Sequence, residues 1–379
     1  MKVCQWSEQE FAQSAAPWQE LLDRSDADPL FMSWQWQWLW WRHYARVLDA
    51  KLNLLAIYDS GDRLVGLAPL CLRQVRHRGG VRAARLESLG STWRHAASAF
   101  SEYLDFIMDR DHIDAAVAAL GDTLQKDRRW DDLVIGYTRR GGAAARLADS
   151  AVGRAGHVRI ADPLHAHVAT IPESFDDYVR ALDAATRRKV WNHRKKLTRP
   201  AVKFARIDEI DSYFDTIDSF HQSRWGARLY EGAYREFHLA FATAMARANT
   251  LQLSRLMVGD IPLSVMYNVR LGGKEYNLQL GFDAANSAGL SPGYLHFGYS
   301  LERACADGVR QFDFLAGQGR ARQYKQDFRT SGEELVCLQL IRSTPLSWAY
   351  RLYDRWKRAY TGGERDAPAC AAVVEQPHG

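Results

Sequence analysis

The segment at residues 274–328 constrains the fold of this 379-residue chain more than any other part of it. Residues 275–282 (EYNLQLGF) have the composition of a β-strand, and the turn-forming residues of 283–291 follow directly. A helix is predicted to begin at Pro292, and QFDFL at residues 311–315 predicts a second strand. The segment therefore predicts a strand, a loop, a helix and a strand.

The start of this predicted helix has the features of an anion-binding site. Ser291 is placed as the N-cap, and Pro292 occupies the first helical position, where proline is tolerated. The first N–H groups of a helix have no intrahelical partner and carry partial positive charge, so they bind anions, most often phosphates. We therefore predict that Leu290, Ser291, Pro292 and Gly293 bind the phosphates of a cofactor, with a plain helix cap as the alternative.

Composition indicates a globular protein without a metal. The apolar fraction is 47% and the charged fraction is 25%, and the length suggests two domains. The five cysteines are scattered, with neither a CxxC pair nor histidines at metal-ligand spacing, which predicts no metal and a reducing compartment. No apolar run approaches the roughly 18 residues of a membrane-spanning helix. The polar residues 7–10 argue against a signal peptide, so we expect a cytoplasmic protein.

Two basic clusters stand out against a net charge of only +5. Residues 73–85 contain five arginines, and residues 187–199 contain seven lysines and arginines, with no acidic residue in either cluster. Solvated surface is the first interpretation, and contact with a phosphate or nucleotide is the second. Nucleic acid is the least favoured partner because the rest of the chain is nearly neutral, although tRNA stays open.

The order of predicted elements occurs twice. The C-terminal half predicts β, α, α, β, β, β, α, β, loop, β. The N-terminal half repeats this order more loosely, with a helix predicted at residues 11–22 and a strand at residues 103–108 among its elements. We predict a first domain at residues 1–171, a linking basic helix at 172–200 and a cofactor-binding domain at 201–345. Residues 346–379 are predicted to form a C-terminal helix and a disordered tail. The predicted fold class is α/β, with mixed central sheets flanked by helices.

This order resembles the GNAT N-acyltransferase fold, and the motifs resemble one two-domain branch, the FemAB-related family described as BioF-like or CelD-like. The similarity spans residues 30–330. The matching motifs are Phe31-Met32-Ser33 with Trp38 and Trp41, the hairpin 64–70, the basic helix 187–199, residues 221–225, Ser291-Pro292-Gly293, and Asp313-Phe314 with Tyr324-Lys325. The residues 289–293 (GLSPG) depart from the Gln/Arg-x-x-Gly-x-Gly/Ala loop with which ordinary GNAT enzymes bind acetyl-CoA.

The resemblance implies tandem GNAT-like domains, the first of them degenerate, and an N-acyltransferase that uses acyl-CoA without a metal. The acceptor it implies is a small molecule or glycan precursor, such as an amino sugar of envelope or exopolysaccharide biosynthesis. Because FemAB relatives also use aminoacyl-tRNA, that donor is one alternative. A non-catalytic GNAT-like adaptor in a polysaccharide biosynthesis complex is the other. The acceptor, the acyl length and the oligomeric state stay open.

The resemblance also implies catalytic residues. GNAT enzymes protonate the departing thiolate with a tyrosine beyond the fifth strand, and Tyr324 occupies a comparable position, with an ordinary core tyrosine as the alternative. Lys325 is predicted to contact a phosphate or to lie on the surface. An amine nucleophile needs a base, for which Glu275, Asp283 and Asp313 are candidates. The alternatives are an exposed carboxylate for Glu275 and a structural ion pair for Asp313.

Four further residues are predicted to contact the acceptor. Asn277 and Gln279 alternate with apolar neighbours along one strand, which predicts that they share a face with Glu275 and line a cleft. Arg224 and Trp225 end a helix where the resembled family has ligand contacts, and an arginine there can bind a carboxylate or phosphate with two hydrogen bonds.

A cluster of five tryptophans occupies residues 34–41. It predicts core and inter-domain packing, because large aromatic side chains dominate the energetics of cores. The functional alternatives are a groove for a long acyl chain or a peripheral contact with a membrane surface.

Overall fold

The computed structural model describes residues 1–77, 80–93, 98–283, 289–316 and 324–360, with side chains up to Trp356. The chain forms two compact units, one made of Met1–Leu164 with the chain from Glu334 on, and one made of His165–Glu333. The chain leaves the first unit within strand β9 (His157–Thr170) and returns within strand β15 (Ser331–Ile341). The predicted disordered tail at 361–379 lies outside the described residues, as do residues 284–288 of the predicted loop.

The first unit is a mixed α/β structure. Its other strands are β1 (Lys2–Gln5), β2 (Lys51–Leu52), β3 (Leu55–Tyr58), β4 (Leu64–Ala68), β5 (Leu70–Arg76), β6 (Arg82–Ser88), β7 (Ile107–Met108) and β8 (Asp132–Arg139). Its helices are α1 (Glu8–Gln13), α2 (Ala15–Asp23), α3 (Trp34–Tyr44), α4 (Ile113–Lys126), α5 (Ala143–Arg146), α6 (Ala151–Ala155) and, after β15, α12 (Thr344–Tyr360). The strands are ordered β1-β3-β4-β7 and β15-β8-β6-β5-β2, and α4 buries Val117 and Leu120 in the core of this unit.

Two predicted elements of the first unit are shorter in the structure. The helix predicted at residues 11–22 is divided at Ser14, whose Oγ donates to the Phe11 carbonyl at 2.8 Å and ends α1. The strand predicted at residues 103–108 is reduced to β7, because the Asp105 carboxylate accepts hydrogen bonds from three backbone N–H groups. In both places a polar side chain competes with the regular backbone bonding.

The tryptophan cluster forms part of the core of the first unit. Trp36, Trp40 and Trp41 of α3 are buried, and the indole N–H of Trp36 donates to Ser101 Oγ at 2.7 Å. Core packing, the first interpretation of this cluster, is therefore confirmed for these three residues.

The second unit is built on one sheet. The order of its strands is β10 (Pro200–Phe204), β11 (Leu251–Val258), β12 (Ile261–Leu271), β13 (Lys274–Phe282), β14 (Gln311–Ala316) and the end of β9. Neighbouring strands are antiparallel except β13 and β14, which are parallel. Its helices are α7 (Phe175–Ala181), α8 (Ala184–Val190), α9 (Ile210–Trp225), α10 (Gly232–Arg247) and α11 (Pro292–Ala306). Phe297 and Leu301 of α11 contribute to the core of this unit.

The C-terminal elements match the sequence prediction closely, but the basic segment does not. The single helix predicted over residues 172–200 is instead α7, α8 and a 3₁₀ turn at Asn192–Lys196. Leu182 is extended, with ψ at 151°, and the Asp183 carboxylate accepts hydrogen bonds from two N–H groups at 2.9 and 3.0 Å. Asp183 thereby caps a new helix where the sequence predicts continuation.

Helix α11 approaches the end of α8 closely at Gly298. A Cβ atom built on Gly298 would lie 2.6 Å from the carbonyl oxygen of Val190, so the two atoms would overlap. Only glycine lets the helix come this near to a backbone carbonyl.

We predict that Gly298→Ala destabilises the protein. Alanine normally favours a helix over glycine by about 1 kcal/mol. Overlap with the Val190 backbone should outweigh this gain, because overpacking costs about 1–3 kcal/mol. Urea unfolding measures the difference. Gly141→Ala is the matched control, since a Cβ there meets no atom within 4 Å. Equal stability of the two variants would contradict the close approach.

Candidate active site

The candidate site lies where β13 and β14 separate. The two strands pair over three residues only, Lys274–Tyr276 against Gln311–Asp313. Strand β13 then continues to Phe282. Among the described residues, the edge of β13 that faces β14 therefore has no strand beside it from Asn277 on.

A β-bulge changes which side chains of β13 share a face. In the pairing with β12, Asn268 lies opposite Asn277 and Tyr267 lies opposite Gln279, so Leu278 is the extra residue. Opposite residues of an antiparallel pair point to the same side, whereas neighbours along a strand point to opposite sides. Gln279 therefore points away from Asn277, and the prediction of one shared polar face is wrong at Gln279.

Helix α11 begins beside the open end of β13. Ser291 is its N-cap residue, as predicted, but the Ser291 side chain makes no capping hydrogen bond. A Cβ on Gly293 would lie 3.1 Å from Leu280 Cδ2 and 3.8 Å from the ring of Phe282, so this glycine brings the helix close to the strand. The Leu295 N–H donates to the Ser291 carbonyl at 3.0 Å, which leaves the earlier N–H groups outside the helical hydrogen-bond series.

Two cationic side chains lie beside this helix start. The Lys189 ammonium lies 4.4 Å from the ring centre of Tyr294, and the Arg224 guanidinium lies 5.0 Å from that of Phe282. Within the described residues, neither cation has a carboxylate oxygen within 4.0 Å. Sequence reasoning singled out Arg224 but not Lys189, which is marked only by its membership of the basic cluster at 187–199.

Arg224 and Trp225 end α9 at an exposed position. Trp225 is 63% exposed, and the Arg224 guanidinium lies 4.9 Å from its ring centre. Gly226 ends the helix with φ at 78°, a left-handed conformation that favours glycine. The two aromatic rings at Arg224 orient its charge without neutralising it.

Tyr324 packs against the first turns of α11. Its ring centre lies 6.3 Å from that of Tyr294 and 6.0 Å from that of Phe297. Burial raises the pKa of the Tyr324 hydroxyl to about 12, because a buried phenolate would be poorly solvated. The hydroxyl therefore keeps its proton at neutral pH, as a proton donor must. Tyr294 is engaged differently, since its hydroxyl donates to Asp327 Oδ2 at 2.6 Å.

Lys325 is buried, so the surface position considered for it is wrong. Its Nζ donates to the carbonyl oxygens of Phe314, Leu315 and Ala316 at 2.5, 3.2 and 3.0 Å. These carbonyls follow the end of the ladder between β13 and β14, so the ammonium supplies hydrogen bonds that a neighbouring strand would otherwise give. With its three protons directed at carbonyl groups, Lys325 would act on a phosphate through its charge alone.

Glu275 is buried and hydrogen-bonded through both oxygens. Its Oε2 accepts from Arg270 Nε at 2.6 Å, and its Oε1 accepts from Asn268 Nδ2 at 2.6 Å and from Ser300 Oγ at 2.9 Å. Asn277 Nδ2 extends this network by donating to Asn268 Oδ1 at 2.7 Å. The exposed carboxylate considered for Glu275 is therefore wrong. The network links β12, β13 and α11.

A cavity of about 260 Å³ adjoins this network on the α11 side of the sheet. Its walls come from β10, β11, β12, β13 and α11, and they include Arg270, Glu275, Ser254 and His296. A polar cavity thus lies beside Glu275 as predicted, but neither Asn277 nor Gln279 lines it.

Asp313 is buried in β14 and carries the structural ion pair considered for it. Its Oδ2 accepts from Lys274 Nζ at 3.2 Å, and its Oδ1 accepts from the Leu315 N–H at 2.8 Å. Asp283, the third candidate base, directly follows β13, where its N–H donates to the Leu263 carbonyl at 2.9 Å.

The predicted site residues fall into two groups. Ser291, Gly293, Arg224 and Tyr324 gather around the start of α11, as the distances above show. Glu275 and Asp313 lie at the paired end of β13 and β14. With about 3.3 Å per residue, Glu275 lies roughly 23 Å along the strand from Phe282.

His296 fixes α11 to the sheet. Its Nε2 lies 3.0 Å from Ser254 Oγ and its Nδ1 lies 2.8 Å from Ser264 Oγ. Burial lowers the pKa of His296 to about 3, because a buried imidazolium would be poorly solvated. The ring is therefore neutral at pH 7, with one nitrogen donating to a serine and the other accepting from one.

Two kinds of feature are absent from the described residues. No group of three or more His, Cys, Asp and Glu side chains there is arranged to hold a metal ion. No helix in the same part of the chain combines the length and apolar character needed to cross a membrane.

Most of the second unit is similar to a known protein family. Residues 184–326 match the family described as "Acetyltransferase (GNAT) domain". Among solved structures, FemX is similar with a TM-score of 0.62 and 13% identity, over 93% of this chain and 99% of FemX. A conserved protein of unknown function from Bacteroides thetaiotaomicron is similar with a TM-score of 0.55 and 10% identity, over 90% of this chain and 99% of that one.

A third similar structure is a C-terminal domain assigned to a lysylphosphatidylglycerol synthetase from Agrobacterium fabrum. Its TM-score is 0.50 at 9% identity, over 92% of this chain and 96% of that one. No curated protein matches the sequence.

The matched residues 184–326 include the start of α11, Lys189, Arg224 and Tyr324. The protein is therefore an acyltransferase built on an α/β fold with mixed sheets flanked by helices. Residues 184–326 thus match a GNAT acetyltransferase domain, and the fold of the chain is similar to that of FemX.

We predict that His296 makes the protein less stable in mild acid. The unfolded histidine has a pKa near 6.5, while the folded one stays neutral down to about pH 3. The unfolded state therefore binds one more proton at pH values between these limits. The stabilisation is complete above about pH 7 and decreases as the pH falls from 6.5 towards 3, by up to about 1.4 kcal/mol per pH unit.

Urea unfolding of wild type and His296→Gln between pH 7.5 and 5 measures this contribution. Glutamine can still bond to one of the serines, so the variant should fold. Its free energy of unfolding should decrease less steeply with falling pH than that of the wild type. The difference between the two slopes should correspond to about one bound proton. Parallel pH profiles would show that His296 is not the group that resists protonation.

Proposed function

We propose that the protein transfers an acyl group from acyl-CoA to an amine acceptor. The observation that carries this proposal is the start of α11, where N–H groups outside the helical hydrogen-bond series lie at the open end of β13, with Lys189 and Arg224 beside them. A helix N-terminus next to two cations that have no carboxylate within 4.0 Å in the described part of the chain favours a polyanion such as the pyrophosphate of coenzyme A. Residues 290–293 would hold that pyrophosphate.

We propose that the pantetheine arm of the donor binds along the open edge of β13. The pantetheine arm of coenzyme A contains two amide groups, which can bond to an unpaired strand edge as another strand would. β14 leaves that edge after Asp313, so the arm can follow β13 from α11 towards the bulge at Leu278. The departure of β14 would thus admit the donor.

The proposed chemistry needs no covalent enzyme intermediate. The amine nitrogen attacks the thioester carbonyl, the C–N bond forms, and the C–S bond breaks with the electron pair leaving on sulfur. Tyr324 would give its proton to that thiolate, which the neutral state of its hydroxyl allows. A base would take the proton lost by the amine. Glu275 and Asp313 stay our proposals for that base, although either carboxylate would first have to release a present donor.

We propose an amino sugar or an envelope or exopolysaccharide precursor as the acceptor, in the cytoplasm. Arg224 and Trp225 support an acceptor with an anionic group, because an exposed guanidinium next to an exposed indole can hold phosphate or carboxylate against an apolar ring. Asn277 and Gln279 are retained as proposed acceptor contacts, on opposite faces of β13. The likeness to a lysylphosphatidylglycerol synthetase domain makes a lipid-linked acceptor worth testing.

We propose a single donor site per chain, and a feature of the first unit supports this. At the start of α4, the Asp109 carboxylate accepts the Asp111 N–H at 3.1 Å and pairs with Arg24 at 2.9 Å. A carboxylate at this helix start would repel a pyrophosphate. We therefore propose that the N-terminal domain, predicted at residues 1–171, is degenerate and that residues 201–345 bind the donor.

Aminoacyl-tRNA is the second candidate donor. The basic segment favours it, because Arg188, Lys195 and Lys196 are exposed on α8 and the 3₁₀ turn after it. A non-catalytic adaptor is the third candidate, favoured by the departure of residues 289–293 from the usual loop. Turnover assays with acyl-CoA and with charged tRNA distinguish the three.

We predict that Ser291→Asp weakens the binding of coenzyme A at least tenfold. The Ser291 side chain makes no capping bond, so aspartate can cap the helix while its charge repels the pyrophosphate. Ser291→Asn is the matched control, since asparagine caps equally well without charge. Titration calorimetry should give one site per chain, tight for wild type and Ser291→Asn. Equal affinities for all three proteins would remove the phosphates from this helix start.

We predict that Tyr324→Phe lowers kcat by roughly 100- to 10,000-fold, the range for loss of a general acid. The affinity for coenzyme A should hardly change, because the ring contacts with Tyr294 and Phe297 remain. Screening amino sugars and envelope precursors with several acyl-CoAs supplies the assay. Wild-type turnover by the variant would show that Tyr324 has a packing role only.

A further inference from the structure

The last helix of the first unit, α12 (Thr344–Tyr360), is held by one face. Leu346 is buried against the unit. The hydroxyl of Tyr350 lies 2.8 Å from His77 Nδ1, and the Asp354 carboxylate pairs with Arg159 at 2.6 and 2.8 Å. These three residues recur every four positions, so they mark a single side of the helix.

A different side of α12 presents large apolar side chains to solvent. Trp348, Leu352 and Trp356 are 64, 60 and 55% exposed. They also recur every four positions, and with 100° per residue this stripe is rotated by about 160° from the face that carries Leu346, Tyr350 and Asp354. Elsewhere in the first unit, the described exposed large apolar residues are separated along the sequence, at Met1, Val47, Val81, Phe100 and Ile160.

Basic residues border the apolar stripe. Arg351 and Arg355 are both exposed and lie one helical turn apart, next to Trp348 and Leu352. The acidic residue of the described part of this helix, Asp354, belongs to the opposite side, where Arg159 neutralises it. The exposed side of α12 is therefore apolar in its centre and positive along one edge.

This combination matches a helix that lies in a bilayer interface. Tryptophan favours the headgroup level, where its ring is in an apolar medium and its N–H in a polar one. Arginine can extend its charged end to lipid phosphates while its methylene groups stay beside apolar neighbours. A protein partner could also cover tryptophans, but a row of cations along the stripe is complementary to an anionic lipid surface in particular.

We infer that α12 attaches the first unit to anionic membranes, with Trp348, Leu352 and Trp356 inserted at the headgroup level and Arg351 and Arg355 at the phosphates. The inference rests on α12 alone and is independent of the proposed acyl transfer. It places the membrane contact on a segment other than the tryptophan cluster of α3, which is largely buried.

Co-sedimentation of the full chain with vesicles tests this inference. One set of vesicles contains phosphatidylcholine alone. The other contains phosphatidylcholine with about 30% phosphatidylglycerol, which makes the surface anionic. We expect binding to the anionic vesicles that weakens with added salt. Trp348→Ser with Leu352→Ser should reduce it at least tenfold, because the apolar insertion is lost.

The arginines give a second, separate measurement. Arg351→Ala and Arg355→Ala should each weaken binding to the anionic vesicles about fivefold. Val47→Ser is the matched control, because Val47 is 66% exposed but lies outside α12. All positions are exposed, and far-ultraviolet circular dichroism verifies that the variants fold.

Three outcomes would overturn the inference. Absence of binding to both vesicle types would do so, as would equal binding of wild type and the Trp348→Ser, Leu352→Ser variant. The third is a change of oligomeric state by that variant in sedimentation velocity without vesicle binding, which would make the stripe a contact between protein copies.

Discussion

The buried ammonium of Lys325 is the interaction on which the candidate site depends. When β14 leaves β13 after Asp313, the following carbonyl groups lose the strand on that side. A buried carbonyl without a partner costs about 1–3 kcal/mol. Lys325 donates to three of these carbonyls, which allows β14 to turn at Leu315, where φ is 59°. The open edge of β13, and with it the proposed path of the donor, follows from this compensation.

The opening between β13 and β14 needs positive charge nearby to bind the phosphates of an acyl donor. The start of α11 supplies part of that charge. The helix is positioned by contacts away from its start, namely His296 between two serines and Gly298 against the Val190 carbonyl. Gly293 then sets the first turn against the end of β13. Lys189, from a different helix, reaches the same turn through Tyr294. The electrostatics of the site are thus a product of tertiary packing.

The sequence predicts features that depend on one segment better than features that depend on contacts between segments. The helix beginning at Pro292 is found as predicted, because capping residues and apolar periodicity act within one segment. The prediction for the face of Gln279 is wrong because of the bulge at Leu278. This bulge arises from pairing with β12 and cannot be recognised in the alternation of polar and apolar residues along β13. The burial of Lys325 is not predicted, because its acceptors are backbone carbonyls. Every residue has such a carbonyl, so the sequence does not indicate which of them a lysine will contact.

Hydrogen–deuterium exchange with and without coenzyme A tests the central claim most directly. The N–H groups of Gly293 and Tyr294 precede that of Leu295, with which the helical hydrogen-bond series of α11 begins, so we expect them to exchange fast in the free protein. We predict that saturating coenzyme A slows exchange in a peptide spanning residues 289–297 and leaves exchange at the start of α4 unchanged. Saturated binding without slower exchange at residues 289–297, or with slower exchange at α4, would contradict it.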